Sequence, residues 1–157
     1  LHVAASVGWL GSVAGFLALA IAGLTGADDQ RVRSAYLAMD VTAWFVIVPF
    51  CFASLLTGLV QSLGTAWGLI RHYWVLTKLL LSLLATVALL LHMQPIGFLA
   101  GVAAESPLSG ADFRGLRVQL VANAGAALLV LLVATALSVY KPRGVTPYGW
   151  RLQHERS

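Results

Sequence analysis

Apolar residues run almost unbroken through four stretches of this 157-residue chain: Val3 to Leu24, Val41 to Val60, Tyr73 to Leu91 and Val118 to Tyr140. A helix needs about 20 residues to cross a hydrocarbon core of roughly 30 Å, and each stretch is close to that length. Polar connections separate them. Residues 25–40 carry Asp28, Asp29, Arg31 and Arg33, a short turn lies near Ser62 to Gly68, and Gln94 to Arg117 holds Pro95, Pro107, Gly110, Glu105 and Asp112. Only the last is large enough to shape a lid. Short connections set neighbouring helices antiparallel, so the pattern predicts an all-α membrane protein. Its architecture is a four-span up-down-up-down transmembrane helix bundle over residues 1–141, followed by a basic polar tail over 142–157.

Helical periodicity then selects the faces expected to look inward. In the second span Asp40, Trp44, Ile47, Cys51, Ser54 and Gly58 fall in one narrow stripe. In the third span Lys78, Ser82, Ala85 and His92 share a face, and in the fourth Gln119, Asn123, Ala126, Val130 and Ala134 do so. The first span offers a small-residue face of Gly8, Ser12, Gly15 and Ala22, interrupted by Leu19. Such stripes are those of ordinary membrane helix packing. Pro49 is expected to kink the second span and free a carbonyl.

Composition agrees with the pattern and removes other classes. With 59% hydrophobic and 10% charged residues and a mean hydropathy of +0.85, the chain lies outside soluble globular proteins. Fifteen Gly, five Pro and one Cys exclude a collagen-like fibre, a disordered chain and a disulfide scaffold. Cys51 lies inside a span with no second cysteine in the sequence. The formal charge of +4 and pI near 9.7 raise the question of nucleic acid, but the Lys and Arg residues are spread over several loops and make no basic groove. Membrane lipids are the expected partner, with anionic headgroups at the tail.

Arg71, Lys141, Arg143, Arg151 and Arg156 fall on one side of the bundle, against Arg31, Arg33, Arg114 and Arg117 on the other. This small excess puts both termini on the cytoplasmic side of a bacterial inner membrane. The chain opens at Leu1 without an initiator Met and is apolar by Val3, so a short preceding stretch is expected. The first apolar segment reads as a retained span and not as a signal peptide.

Chemistry is sparser. Toward one end, Asp40, His92 and Asn123 come from three spans to similar depth, and Met39 and Met93 adjoin them. Imidazole, thioether and carboxylate together can hold copper, and His with Met can ligate haem iron. The other reading of Asp40, His92 and Asn123 is a hydrogen-bonded cluster that fixes helix register. Toward the opposite end, His2 and His72 open the first and third spans and could form a bis-histidine haem site. His72 is rotated about 120° from Lys78, however, and belongs to the interfacial run RHYW. Lys78 sits about 9 Å of helix rise deeper than His72, where an ammonium needs a partner. It can snorkel, bond carbonyls freed near Pro49, or hold a lipid headgroup, haem propionate or quinone oxygen. The chain contains no phosphate-binding loop, zinc-protease helix, nucleophile elbow or paired cysteines.

The runs HVAASVGWLG and RHYWVLTKLLLSLLATVALLLHMQP, with the tail KPRGVTPYG, resemble a bacterial family of small predicted integral membrane proteins of unknown function. The likeness covers nearly the whole chain and implies four spans. A more distant similarity links the His, Trp and Gly of the first span and the Lys78 region to the copper-resistance D membrane family, and implies a copper or haem site involving His2, Trp9 and Lys78. This chain is about half the length of those proteins, which leaves a shared transport role unsupported.

The leading expectation is therefore a bundle holding a redox metal. The metal is either copper through His92, Met93, Met39 and Asp40, or b-type haem through histidines including His2 and His72, for metal handling or electron relay. A rival is a non-catalytic scaffold that packs against a partner subunit or a second copy through its glycine face. A third reading is a lipid or quinone pocket around Lys78 with the loop 94–117 as lid. Whether the chain is an enzyme is left open.

Overall fold

A computed structural model of the chain describes residues 1–64, 73–105 and 113–140. Those residues are all-helical: α1 (His2–Thr25), α2 (Asp29–Thr42), a π-helical turn (Ala43–Ile47), α3 (Val48–Gly64), α4 (Tyr73–Glu105) and α5 (Arg114–Tyr140). Because α2, the π turn and α3 form one continuous helix, four helices are long and apolar enough to cross a membrane. Cross-contacts fix their directions. The start of α1 meets the end of α3 through His2 and Thr57, and its end meets α2 where Gly23 lies under the Tyr36 ring. His2 also meets Lys78 near the start of α4, while Arg117 at the start of α5 reaches Gly23. The four helices therefore alternate in direction.

The connection expected over residues 25–40 is reduced to three residues, Gly26 to Asp28. Asp28 caps α2 by accepting the Gln30 N–H at 3.3 Å, and Asp29 in the first turn complements the helix dipole. The segment is polar but amphipathic. Val32, Ala35, Tyr36 and Met39 are all buried, a helical spacing that carries α2 into the core while Arg31 and Arg33 stay outside.

The third helix also outruns its expected end. It continues through Pro95 to Glu105, since Ile96, Leu99, Ala100 and Ala103 bury a second stripe against α2 and outweigh the hydrogen bond that Pro95 cannot donate. Of the connection expected over Gln94 to Arg117, residues 94–105 and 114–117 are thus helical, and residues 106–112 lie outside the described residues.

Pro49 is accommodated by the turn before it. A proline ring crowds the carbonyl four residues back, and the chain widens locally so that the Val48 N–H donates to the Ala43 carbonyl. The wider turn slows the rotation of side chains. Ala43 and Ile47 both face the core, and Trp44, expected inward, is 52% exposed. Below it Cys51 and Ser54 are buried as expected.

The inward face of α1 also differs from expectation. Ala5, Trp9, Val13, Phe16, Ala20 and Gly23 are buried, while Gly15 and Ala22 turn outward. A methyl group added at Gly11 or Gly15 would meet nothing within 4 Å. In α5 the buried face is Arg117, Leu120, Ala124, Leu131 and Ala134, with Gln119 and Ala126 exposed. The core joins the bulky stripe of α1 to Tyr36, Met39, Ile47, Met93, Leu99 and Leu120.

Two arginines close the end of the bundle opposite His2. Arg117 is 8% exposed; its Nε donates to the Tyr36 hydroxyl at 3.1 Å, its terminal nitrogen donates to the carbonyls of Gly23 and Leu24, and its guanidinium lies over the Tyr36 ring. Gly23 leaves room for that ring, since a Cβ there would lie 2.9 Å from it. Arg33 donates to the carbonyl of Ala104 in the last turn of α4. The last carbonyls of a helix lack intrahelical donors and carry partial negative charge, so a guanidinium from a neighbouring helix satisfies both needs.

Candidate functional site

At the other end, His2 occupies the first turn of α1, Thr57 sits on α3 and Lys78 on the second turn of α4. The Lys78 ammonium donates to His2 Nε2 at 3.1 Å, and His2 Nδ1 lies 3.1 Å from Thr57 Oγ1. Thr57 in turn donates to the Ala53 carbonyl at 2.5 Å, so its oxygen is left to accept. The order of donors is then fixed: Lys78 to His2, His2 Nδ1–H to Thr57, Thr57 to the backbone. One turn along, the Ser6 and Ser54 hydroxyls pair at 2.8 Å. The spacing of four between His2 and Ser6, and of three between Ser54 and Thr57, brings the two antiparallel faces into register. Gly58 makes the approach possible, because a Cβ there would lie 2.9 Å from the imidazole carbon Cε1.

This chain of hydrogen bonds borders a cavity of about 500 Å³ between α1, α3, α4 and α5. Its polar wall includes His2, Ser6, Ser54, Lys78, Ser82 and Ser138, and its apolar wall includes Val7, Trp9, Leu55, Leu79 and Leu131. No acidic residue among the described ones lines it. The volume is that of a site for one small ligand. It lies where α3 and α4 touch only lightly, so the separation of these two helices opens the space.

The second polar cluster is closed. His92 Nδ1 donates to the Ala88 carbonyl at 2.6 Å, and His92 Nε2 accepts from the Asn123 side-chain amide. Asp40 lies over Gly97, where a Cβ would come within 3.8 Å of its carboxylate oxygen. Met39 and Met93 are 0% and 7% exposed within the apolar core. Elsewhere Cys51 pairs with the Thr86 hydroxyl at 3.2 Å, and among the described residues no buried side-chain nitrogen or oxygen lacks a partner.

These contacts bear directly on the expected metal ligands. His92 meets Asn123, two of the three members of the expected hydrogen-bonded cluster, while Asp40 lies over Gly97 and bonds to neither; both His92 ring nitrogens are engaged. Both nitrogens of His2 are engaged too, by Thr57 and Lys78, and His72 lies outside the described residues. Among the described residues no group of three or more His, Cys, Asp and Glu side chains is placed to hold a metal. In this arrangement neither His2 nor His92 presents a free imidazole nitrogen.

Depth alone singles out Lys78 in the sequence, and the structure supplies its partner. Matching span ends by level sets His2 against His72 instead, and only the more distant family resemblance groups His2 with Trp9 and Lys78, which here line one cavity. Thr57 also escapes a reading by residue type; its signal is the run Ser54, Thr57, Gly58 on one face of α3. No family model matches this chain, and no curated protein or solved structure matches it either.

Proposed function

We propose that this chain is a four-span integral membrane protein whose cavity at the His2 and Lys78 end receives the polar head of a membrane amphiphile, a lipid or a quinone. The observation that carries the reading is a half-buried lysine on the wall of a cavity of ligand size, hydrogen-bonded among the described residues only to a histidine. An ionisable residue at such depth is expensive unless a partner meets it, and a site-bound head supplies one.

The membrane part of the reading draws on the outer surface. Phe45, Val60, Leu63, Leu91 and Leu129 are each more than 60% exposed, a surface that suits lipid and not water. Among the described residues, Asp28, Asp29, Arg31, Arg33, Glu105 and Arg114 gather at one end. In the proposed orientation, at a bacterial inner membrane, His2 and Lys78 lie toward the cytoplasmic face.

The cavity is tested by filling it. Ser138 lies on its wall and bonds to its own helix, at the Ala134 carbonyl, so Ser138→Trp occupies space without breaking the contacts of His2 or Lys78. Native mass spectrometry of detergent-purified protein should show a copurifying lipid or quinone on the wild type, reduced severalfold in Ser138→Trp. Equal occupancy in the two would sink the cavity reading.

The partner-subunit reading is favoured by one observation, the outward position of Gly11 and Gly15. Small residues on a lipid-facing stripe let another helix approach closely. Crosslinking in native membranes should then capture a second copy or another subunit, and Gly15→Leu should abolish the product; a crosslink unchanged by Gly15→Leu would remove this face from consideration.

A further inference from the structure

The proposed site carries a charge that nothing described beside it balances, and we infer that its ligand bears an anionic head, a carboxylate or phosphate oxygen, on a single apolar chain. This inference rests on the amphiphile reading above.

His2 does not neutralise Lys78. With its Nδ1–H given to Thr57, the imidazole meets the ammonium as a neutral acceptor, and it engages one of the three ammonium N–H groups. The cavity wall contributes no carboxylate among the described residues, and the ion pair between Arg31 and Asp28 belongs to the opposite end of the bundle. The hydroxyls nearest the site are committed elsewhere: Ser6 and Ser54 to each other, Ser138 to the Ala134 carbonyl. Besides the neutral Ser82 hydroxyl and Gln61 amide, Lys78 is therefore the group with donors to spare, and among the described lining residues it is the one that carries a positive charge.

Charge decides between ligand classes. In surroundings of low dielectric a unit positive charge attracts a unit negative charge far more strongly than it does in water. A quinone carbonyl accepts a hydrogen bond from Lys78 but leaves the charge uncompensated; a carboxylate or phosphate does both. The rest of the wall is mainly apolar, and about 500 Å³ suits one chain beside the head and not the whole of a two-chain lipid.

The test uses the full chain, freed of copurified lipid and held in a neutral detergent, with palmitate, methyl palmitate and acetate as probes in native mass spectrometry. Palmitate should bind at least about tenfold more tightly than its methyl ester, and acetate should not bind detectably. Lys78→Met should bring palmitate down to the level of the ester without changing the ester, whereas Lys78→Arg should keep the preference. Circular dichroism confirms that each variant is folded. Equal binding of palmitate and ester to the wild type overturns the anionic head and leaves the amphiphile cavity standing. Acetate matching palmitate overturns the apolar chain and leaves a site for a water-soluble anion. No binding of palmitate or ester, together with Ser138→Trp indistinguishable from wild type, overturns the amphiphile reading itself.

Discussion

Arg117 shows how much one side chain can hold together. It joins three helices by donating to Tyr36 on α2 and to the last carbonyls of α1 from the first turn of α5. Arg117→Met keeps the aliphatic stem but leaves the Gly23 carbonyl and the Tyr36 hydroxyl short of a donor, and should cost about 2–4 kcal/mol of stability. Unfolding of the variant by denaturing detergent, compared with wild type, reads this directly; a loss within the error of an exposed-site control such as Arg31→Met would show that the contact contributes nothing. Asn123→Leu removes the donor at His92 Nε2 and should cost less, about 1–2 kcal/mol, because hydrogen bonds between membrane helices are modest in net terms. Residue identity alone makes Lys78, His92 and Asn123 stand out as interior polar groups. It does not reveal the burial of Arg117, because an arginine at a span end ordinarily snorkels to the outside.

At the scale of elements, the departures from expectation share one cause. Hydropathy locates apolar length, but a helix persists wherever its backbone bonds are made and one face is covered. Residues 29–42 form α2 despite their charges because Val32, Ala35, Tyr36 and Met39 bury a stripe, and α4 passes Pro95 for the same reason. Cysteine scanning through residues 31–39 in a Cys51→Ser background should therefore give a helical pattern, with thiol labelling rapid at positions 31, 33 and 37 and slow at 32, 36 and 39. Uniform labelling would restore the loop that the sequence suggests. Pro49 is legible as a disturbance, but its form is not: the chain adds a residue to the preceding turn, which sends Trp44 outward and Ala43 inward.

For the molecule as a whole, the closed His92 cluster and the open Lys78 cavity lead to opposite expectations. His92 has both ring nitrogens occupied, so elemental analysis should find the same iron, copper and zinc content in His92→Ala as in the wild type, before and after reconstitution. A stoichiometric metal lost in His92→Ala or His2→Ala would require these hydrogen bonds to open and would overturn the reading of both histidines. The cavity should hold an amphiphile that Ser138→Trp excludes.

Local sequence was enough for the helical class and the number of apolar spans, because about 20 consecutive apolar residues admit few other structures and backbone groups in such a segment bond within the helix. It was also enough to pick out Lys78, since a charge at that depth needs an explanation whatever surrounds it. Which groups meet was settled by the packing of the helices. Helix rotation, set by the widened turn before Pro49 and by the bulky stripe of α1, and helix spacing, set by Gly23 and Gly58, depend on contacts between residues far apart in the chain. Those two quantities placed His2 against Lys78 beside a cavity and His92 against Asn123 without one, a distinction that no periodicity within a single helix can express.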